Sequence, residues 1–422
     1  MRHKLTTFSS ISAPLLRLSL GAAALCAAAL ASAAEAEGPT WTFGGFGSLG
    51  MARSDFHDAD FNANVLKGDG TGYSSGWSPN IDSRLGAQLG VTLDKKWSGV
   101  LQVITEQRFD NSFQPIVEWA NIKYQATPDL ALRAGRIALP IFLDADYRKI
   151  GYAYPWVRPP VEVYGAIPIT NSDGLDASYR WRAAGVKFTT QAFFGRTDLK
   201  LTATNHVKAR GIAGITQTAE VGALTVRAST FNARLNVSLA RELFDGFRQF
   251  GPQGVAIADR YDVINKRVNG VTIGANYDPG QWFLMAEAGS MDGHSFLAHT
   301  HSMYASAGYR AGNFTPYAAY SRVRSMDPTS NPGLSLNGLP PPYAAAAAQL
   351  NAGLDVLLHA IPIQNTVAMG LRWDLRSDMA LKLQYERLSP KDGSRGSLVN
   401  LQPAFHSDQS VHVTSVVLDF VF

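Results

Sequence analysis

The chain has 422 residues, of which 17 % are charged, with a formal net charge of +4, 38 glycines and a single cysteine. One cysteine excludes a disulfide framework or a multi-thiol metal site, and so small a charge excess gives a nucleic-acid partner no support. The excess also sits in the wrong place for one: Arg2, Lys4 and Arg17 lie in or beside an apolar run, Leu18 to Ala31, that ends in Ala31-Ser32-Ala33.

That pattern predicts a cleaved secretory signal over residues 1–33, too short to be read as a spanning helix. Its removal takes three cations and no acid, lowering the formal charge from +4 to +1. Cys26 goes with it, and Leu25 just before that cysteine spoils a lipoprotein cleavage site. The expected mature chain therefore runs from residue 34 to 422 without a thiol.

Past the signal, no stretch approaches the roughly 18 continuous apolar residues of a spanning helix. The pattern is instead one of period two. Leu85, Ala87, Leu89, Val91 and Leu93 alternate with Arg84, Gln88 and Thr92, and Val271, Ile273, Ala275 and Tyr277 with Thr272, Asn276 and Asp278. Val367, Met369, Leu371, Trp373 and Leu375 alternate with Thr366, Ala368, Gly370, Arg372, Asp374 and Arg376. After the turn Ser377-Asp378, Met379, Leu381, Leu383 and Tyr385 alternate with Lys382, Gln384 and Glu386. The last segment, Val411 to Phe422, puts Thr414, Val416, Leu418, Phe420 and Phe422 on one face. One face suits lipid and the other water, and lipid tolerates no open backbone edge, so such strands must close into a barrel.

Connections alternate in length. Short turns are expected near Asp94-Lys95-Lys96, Thr127-Pro128-Asp129, Ala183-Ala184-Gly185, Val221-Gly222-Ala223, Asp278-Pro279-Gly280, Ala311-Gly312-Asn313 and Ser377-Asp378. Longer loops are expected near 53–80, 108–115, 139–174, 195–209, 235–267, 291–299, 326–361 and 389–410. The expectation is an all-β, transmembrane antiparallel β-barrel of about 16 strands, wide enough for an aqueous channel. Aromatics near strand ends (Trp41, Phe43, Trp97, Trp181, Tyr277, Trp282, Tyr309, Trp373, Phe420) fit interfacial girdles.

Two features bear on function. The third loop, 139–174, holds five prolines and a set of aromatics, Phe142, Tyr147, Tyr152, Tyr154, Trp156 and Tyr164, with Asp144, Asp146 and Glu162 balancing Arg148, Lys149 and Arg158. Long loops of limited backbone freedom are often functional, and this one is a candidate constriction loop; the competing arrangement lays it over the mouth or on a neighbouring subunit. The wall is less balanced: alternation assigns inward positions to Arg84, Arg133, Arg180, Arg182, Lys187, Arg227, Arg310, Arg322, Arg324, Arg372, Arg376 and Lys382, against Glu106, Asp176, Glu287, Asp374, Glu386 and Asp419. Arg182, Arg310 and Arg376 fall beside short turns, so the selectivity candidates are Arg84, Arg133, Arg180, Arg227, Arg322, Arg372 and Lys382. Arginine forks grip carboxylate and phosphate oxygens in pairs, and rings of them bias a pore toward anions; the competing reading has them hydrating the lumen and pairing with its acids.

The opening Trp41-Thr42-Phe43-Gly44-Gly45-Phe46-Gly47, the strand rhythm, the long third loop and the terminal Phe422 together resemble the sixteen-stranded porins of Gram-negative outer membranes. The resemblance implies a homotrimer in outer-membrane lipid, with the third loop folded into each barrel, passing small hydrophilic or anionic solutes. General-diffusion and phosphate- or dicarboxylate-selective types both fit. An alternative is an adhesin or receptor acting through its long outer loops. An enzyme is not expected, for H-E-x-x-H is absent and no compact Ser, His and acidic set falls on facing strands, and neither is a cofactor.

Three other signals are weighed down by context. Gly45-Phe46-Gly47-Ser48-Leu49-Gly50 matches a dinucleotide-binding string but lacks a βαβ setting. Asp292, His294, His299 and His301 are loop-side residues without a helix or thiol to fix a metal, so no metal site is expected. Ser238 to Phe250 and Ala344 to His359 have helical character, either capping the outer mouth, lining it, or packing as compact loops.

Overall fold

The computed structural model describes residues 38–202 and 205–422; the expected signal segment, Cys26 included, lies outside the described residues. Residues 40–422 form one unit around a closed barrel. Its sixteen strands are β1 (Thr40–Ser54), β2 (Arg84–Thr92), β3 (Trp97–Glu106), β4 (Ile116–Gln125), β5 (Leu130–Ala138), β6 (Asn171–Ala183), β7 (Val186–Lys200), β8 (His206–Val221), β9 (Leu224–Val237), β10 (Lys266–Tyr277), β11 (Trp282–Asp292), β12 (His299–Tyr309), β13 (Phe314–Ser325), β14 (Gln364–Arg376), β15 (Met379–Pro390) and β16 (Val411–Val421).

Each strand pairs antiparallel with its sequence neighbour, and β1 closes the ring. Its first half pairs with β2, from Thr40↔Thr92 to Ser48↔Arg84, and its second half with β16, from Phe46↔Val421 to Ser54↔Val413. The terminal Phe422 completes the seam, exchanging backbone hydrogen bonds with Gly45 at 2.8 and 3.0 Å. Among the described residues the barrel sheet has no open edge, the condition for spanning a bilayer with strands.

Side-chain alternation then sorts the surface. Leu89, Ile122, Leu175, Phe194, Ile215, Val271, Ile273, Leu284, Met369 and Leu383 are exposed on the outside, an apolar belt that suits hydrocarbon. Near the short turns the belt ends in aromatic pairs: Trp97 with Tyr124 (4.6 Å between ring centroids), Trp181 with Phe188 (4.2 Å), Tyr277 with Trp282 (5.2 Å) and Phe314 with Trp373 (5.6 Å). Inside, an aromatic ring repeatedly lies over a glycine of the next strand. A Cβ built on Gly86 would stand 2.3 Å from the ring of Phe46, and one on Gly270 2.2 Å from that of Phe231.

The long connections gather at the end opposite the short turns. The expected helix near 238–250 forms as α2 (Arg241–Arg248) and that near 344–359 as α4 (Pro341–Leu358), with α3 (Gly251–Tyr261) an addition between them; α1 (Val161–Tyr164) is a single turn in the third loop. Phe244, Phe247, Ile257, Tyr261, Leu354 and Leu358 pack α2, α3 and α4 into one cluster. The first and eighth loops join through a short ladder, Asp60-Phe61 between Thr71-Gly72 and Leu398-Val399.

Candidate functional site: the lumen and its internal loop

The connection from β5 to β6, residues 139–170, runs inside the barrel. It is held there by inward-facing wall groups. Thr216 of β8 donates to the Pro140 carbonyl and Thr272 of β10 to that of Ile141, both at 2.6 Å. Arg227 of β9 donates to the carbonyls of Phe142 (2.9 Å) and Leu143 (3.1 Å) and pairs with Asp146 (3.1 Å). The amide of Leu143 in turn donates to Glu287 of β11 at 2.9 Å.

The loop then descends toward the short-turn end, where the Tyr152 hydroxyl donates to the Ser377 carbonyl at 2.8 Å. Arg372 of β14 holds the carbonyls of Tyr152 and Tyr154 (2.6 and 2.8 Å), and Lys382 of β15 those of Gly151 and Trp156 (2.7 and 2.8 Å). Lys382 also pairs with Asp419 of β16 at 2.8 Å, and neither side chain is exposed. Gly151 sits so close to this pair that a Cβ there would lie 2.3 Å from Asp419 Oδ1 and 2.6 Å from Ser48 Oγ.

On its return the loop is anchored by charge. Arg158, buried, donates to both oxygens of Asp82 (2.9 and 2.5 Å), to Ser415 (2.6 Å) and to Glu386. Glu162 accepts from Ser321 (2.6 Å), Gln364 (2.5 Å) and Thr366. Trp156 donates from Nε1 to Ser306 at 2.8 Å, and the Val157 amide to Gln384 at 3.0 Å. Phe142, Tyr154, Trp156 and Tyr164 pack against Phe231, Phe283, Tyr304 and Tyr317 of the wall, which offsets the entropy of ordering the segment.

These contacts assign the sequence candidates to different places. Asp144 is buried against the hydroxyls of Tyr147 (2.5 Å) and Tyr164 (3.3 Å), and Arg148 folds back on the loop, donating to Ile167 (2.8 Å) and Tyr164. Lys149 pairs with Glu106, and Arg84 approaches the Lys149 carbonyl at 3.5 Å. Asp146, Arg158, Glu162, Arg227, Arg372 and Lys382 are tethers, as above. Several expectations need correcting. Lys382 faces inward but is sealed beneath the loop. Arg322 faces outward: on β13, Thr315, Tyr317, Ala319, Ser321 and Val323 are the buried set, and Arg322 and Arg324 share the parity of exposed Phe314 and Tyr320. The polarity rule fails there because the inner face of β13 meets an apolar surface rather than water.

Among the described residues, no side-chain hydrogen bond joins the loop to β4, β5, β6 or β7. That wall carries Arg133, paired with Asp176 at 2.7 Å, while Gln191 donates to the same carboxylate at 3.2 Å. Arg180 stands beside the turn before β5, donating to the Pro128 carbonyl at 2.5 Å, so it too lies next to a short turn, contrary to its separation from Arg182, Arg310 and Arg376 in the sequence reading. Lys123, opposite Arg133 in the ladder, also faces inward, and among the described residues neither Lys123 nor Arg180 has an ion-pair partner. Lys123 escapes the alternation because a bulge at Gln102/Val103 puts Glu118 and Asn121, three apart, on the same buried face; counting upward from the turn, Asn121-Lys123-Gln125 recovers it. His299 and His301 lie side by side, ring centroids 4.8 Å apart, and no group of three or more metal-ligating side chains gathers among the described residues.

No family model and no curated protein matches the sequence. Solved structures do. The outer membrane channel DcaP of Acinetobacter baumannii superposes with a TM-score of 0.54 at 11 % identity, covering 91 % of this chain and 98 % of that one. The anion-selective porin from Comamonas acidovorans gives 0.52 at 13 %, covering 91 % and 100 %, and the in-vitro folded trimer form of OmpT, an outer membrane protein of Vibrio cholerae, gives 0.50 at 13 %, covering 91 % and 100 %. Likeness at such identities concerns architecture, and with a closed sixteen-strand barrel and a loop folded inside it, this chain has the fold of the Gram-negative outer-membrane porins.

Proposed function

We propose that the protein is a porin of the Gram-negative outer membrane, a homotrimer whose barrels pass small hydrophilic solutes by diffusion and favour anions. The observation that carries this reading is the division of the lumen. Tethers fix the internal loop to β2, β3 and β8 through β16, whereas among the described residues no side-chain hydrogen bond ties it to β4 through β7, where only Phe193 joins its apolar cluster. The passage between loop and wall is lined by Lys123, Arg133 and Arg180, with Asp176 already engaged by Arg133. Inward cations attract anions, and the guanidinium fork suits carboxylate and phosphate. The bias is modest, since a Debye length of about 8 Å at physiological salt screens charges across a wide pore. The trimer form of the Vibrio cholerae protein and the anion-selective porin of Comamonas acidovorans lend support in kind.

The test is the reversal potential in a planar bilayer under a potassium chloride gradient, for the native protein and for Lys123→Gln/Arg180→Gln. Arg227 and Arg372 are left untouched because they hold the loop. Chloride preference in the native protein that falls toward unity in the double variant is the expected result. An equal preference in both would refute the assignment, and the absence of conductance would refute the channel.

A further inference from the structure

Above the internal loop, toward the long connections, the lumen holds a cavity of about 370 Å³. A porin lumen facing water should be lined by polar groups. Here Ile212, Phe231, Leu235 and Val268 of the wall point inward, Ile167 of the internal loop forms the floor, and Ile361 closes from above. The size falls within the range of small-molecule sites, roughly 300 to 1,000 Å³, which are apolar with a few placed polar groups.

The polar groups are unevenly matched. Glu162 at the cavity margin is fully engaged by Ser321, Gln364 and Thr366. Arg395, in the loop before β16, is not: its side chain has no hydrogen-bond or ion-pair partner among the described residues, and its Nε is buried. Burial without any compensating acid pushes this guanidinium below its ordinary range. An unpaired cation held against an apolar surface is costly unless a ligand supplies the missing charge.

We propose that this vestibule binds an amphipathic organic anion, a carboxylate with an apolar chain or ring, the body lying on Ile212, Phe231 and Val268 and the carboxylate on Arg395. The proposal rests on the channel reading, for which it names a class of solute. Such a solute would leave water for the apolar vestibule before meeting the cationic wall of β4 and β5. The fork geometry of arginine favours a carboxylate over an alcohol of the same length, and the wall favours octanoate over acetate.

The experiment is calorimetric titration of the protein in lipid nanodiscs with octanoate, octanol and acetate, empty nanodiscs being subtracted, alongside potassium chloride conductance of the same preparation in a planar bilayer. Saturable octanoate binding, weakened about ten- to a hundredfold in Arg395→Gln, partly retained in Arg395→Lys and undetectable for acetate, is the expected result. Octanoate and octanol binding alike, or Arg395→Gln binding octanoate as the native protein does, overturns the carboxylate assignment. Conductance without saturable octanoate binding overturns the site and leaves the channel standing, whereas octanoate binding in a protein that conducts nothing supports the site and refutes the channel.

Discussion

Replacing Arg158 by Ala tests whether buried charge holds the internal loop down. The guanidinium satisfies Asp82, Glu386 and Ser415 at once, with side-chain exposures of 2 %, 1 % and 6 % for Arg158, Asp82 and Glu386. Removing it strands two carboxylates where water is scarce, and losing one partner of a buried pair costs about 3 to 5 kcal/mol. The barrel ladder does not pass through these contacts, so the penalty falls on the docked state of the loop. At 1.4 kcal/mol per decade, its docked-to-undocked ratio drops by about two to three and a half orders of magnitude. Single-channel recordings should then give a larger and noisier conductance, with the heat stability of the folded barrel less affected. Replacing the whole triad by neutral groups (Arg158→Met, Asp82→Asn, Glu386→Gln) should sit nearer the native protein than Arg158→Ala does, because no charge is left unpaired. Native conductance and noise in Arg158→Ala, or a triad variant worse than the single one, would refute the reasoning.

Two further perturbations probe the same architecture. Gly151→Leu places atoms where only about 2.3 Å separates a Cβ from Asp419 Oδ1; it should lift the loop from Lys382 and raise single-channel conductance, and an unchanged conductance would mean the approach is not constraining. Deleting Phe422 removes the two backbone bonds to Gly45 and the ring contacts with Phe43 and Phe420. At about 1 kcal/mol net per bond it should lower the unfolding temperature of the barrel, measured by loss of folded mobility on unboiled gels, without altering ion preference.

The barrel was legible because lipid imposes a simple rule on sequence. Leu381, Leu383 and Tyr385 outside and Lys382, Gln384 and Glu386 inside could be assigned from period two alone, and the seven short turns fell where the expected punctuation lay. The lumen was less legible. Alternation reports which face a residue occupies, not what covers that face. Lys382 and Arg372 were rightly placed inside, but a segment more than 200 residues away in sequence supplies the carbonyls that bind them. Arg322 was misplaced for the complementary reason: Ala319 and Val323 look like lipid-facing residues because the surface they meet is apolar. Helix α3 opens with Gly251 at φ 66° and carries Pro252 and Gly254 in its first turn, residues that read as a turn rather than a helix.

Counting wall cations therefore does not show which of them are free to meet a solute. Arg227, Arg372 and Lys382 could each face a solute by position, but a loop of 32 residues without regular ladders carries many carbonyls that must be satisfied away from water, and these cations satisfy them. Charge spent on the loop backbone is fixed, partly buried and paired, so it shapes the passage rather than filtering ions. Under the proposed function the filter lies where the loop makes no side-chain hydrogen bond, on the wall of β4 to β7. The two groups of cations are separable by experiment: neutralising a tether changes how much current flows, while neutralising Lys123 or Arg180 changes which ion carries it.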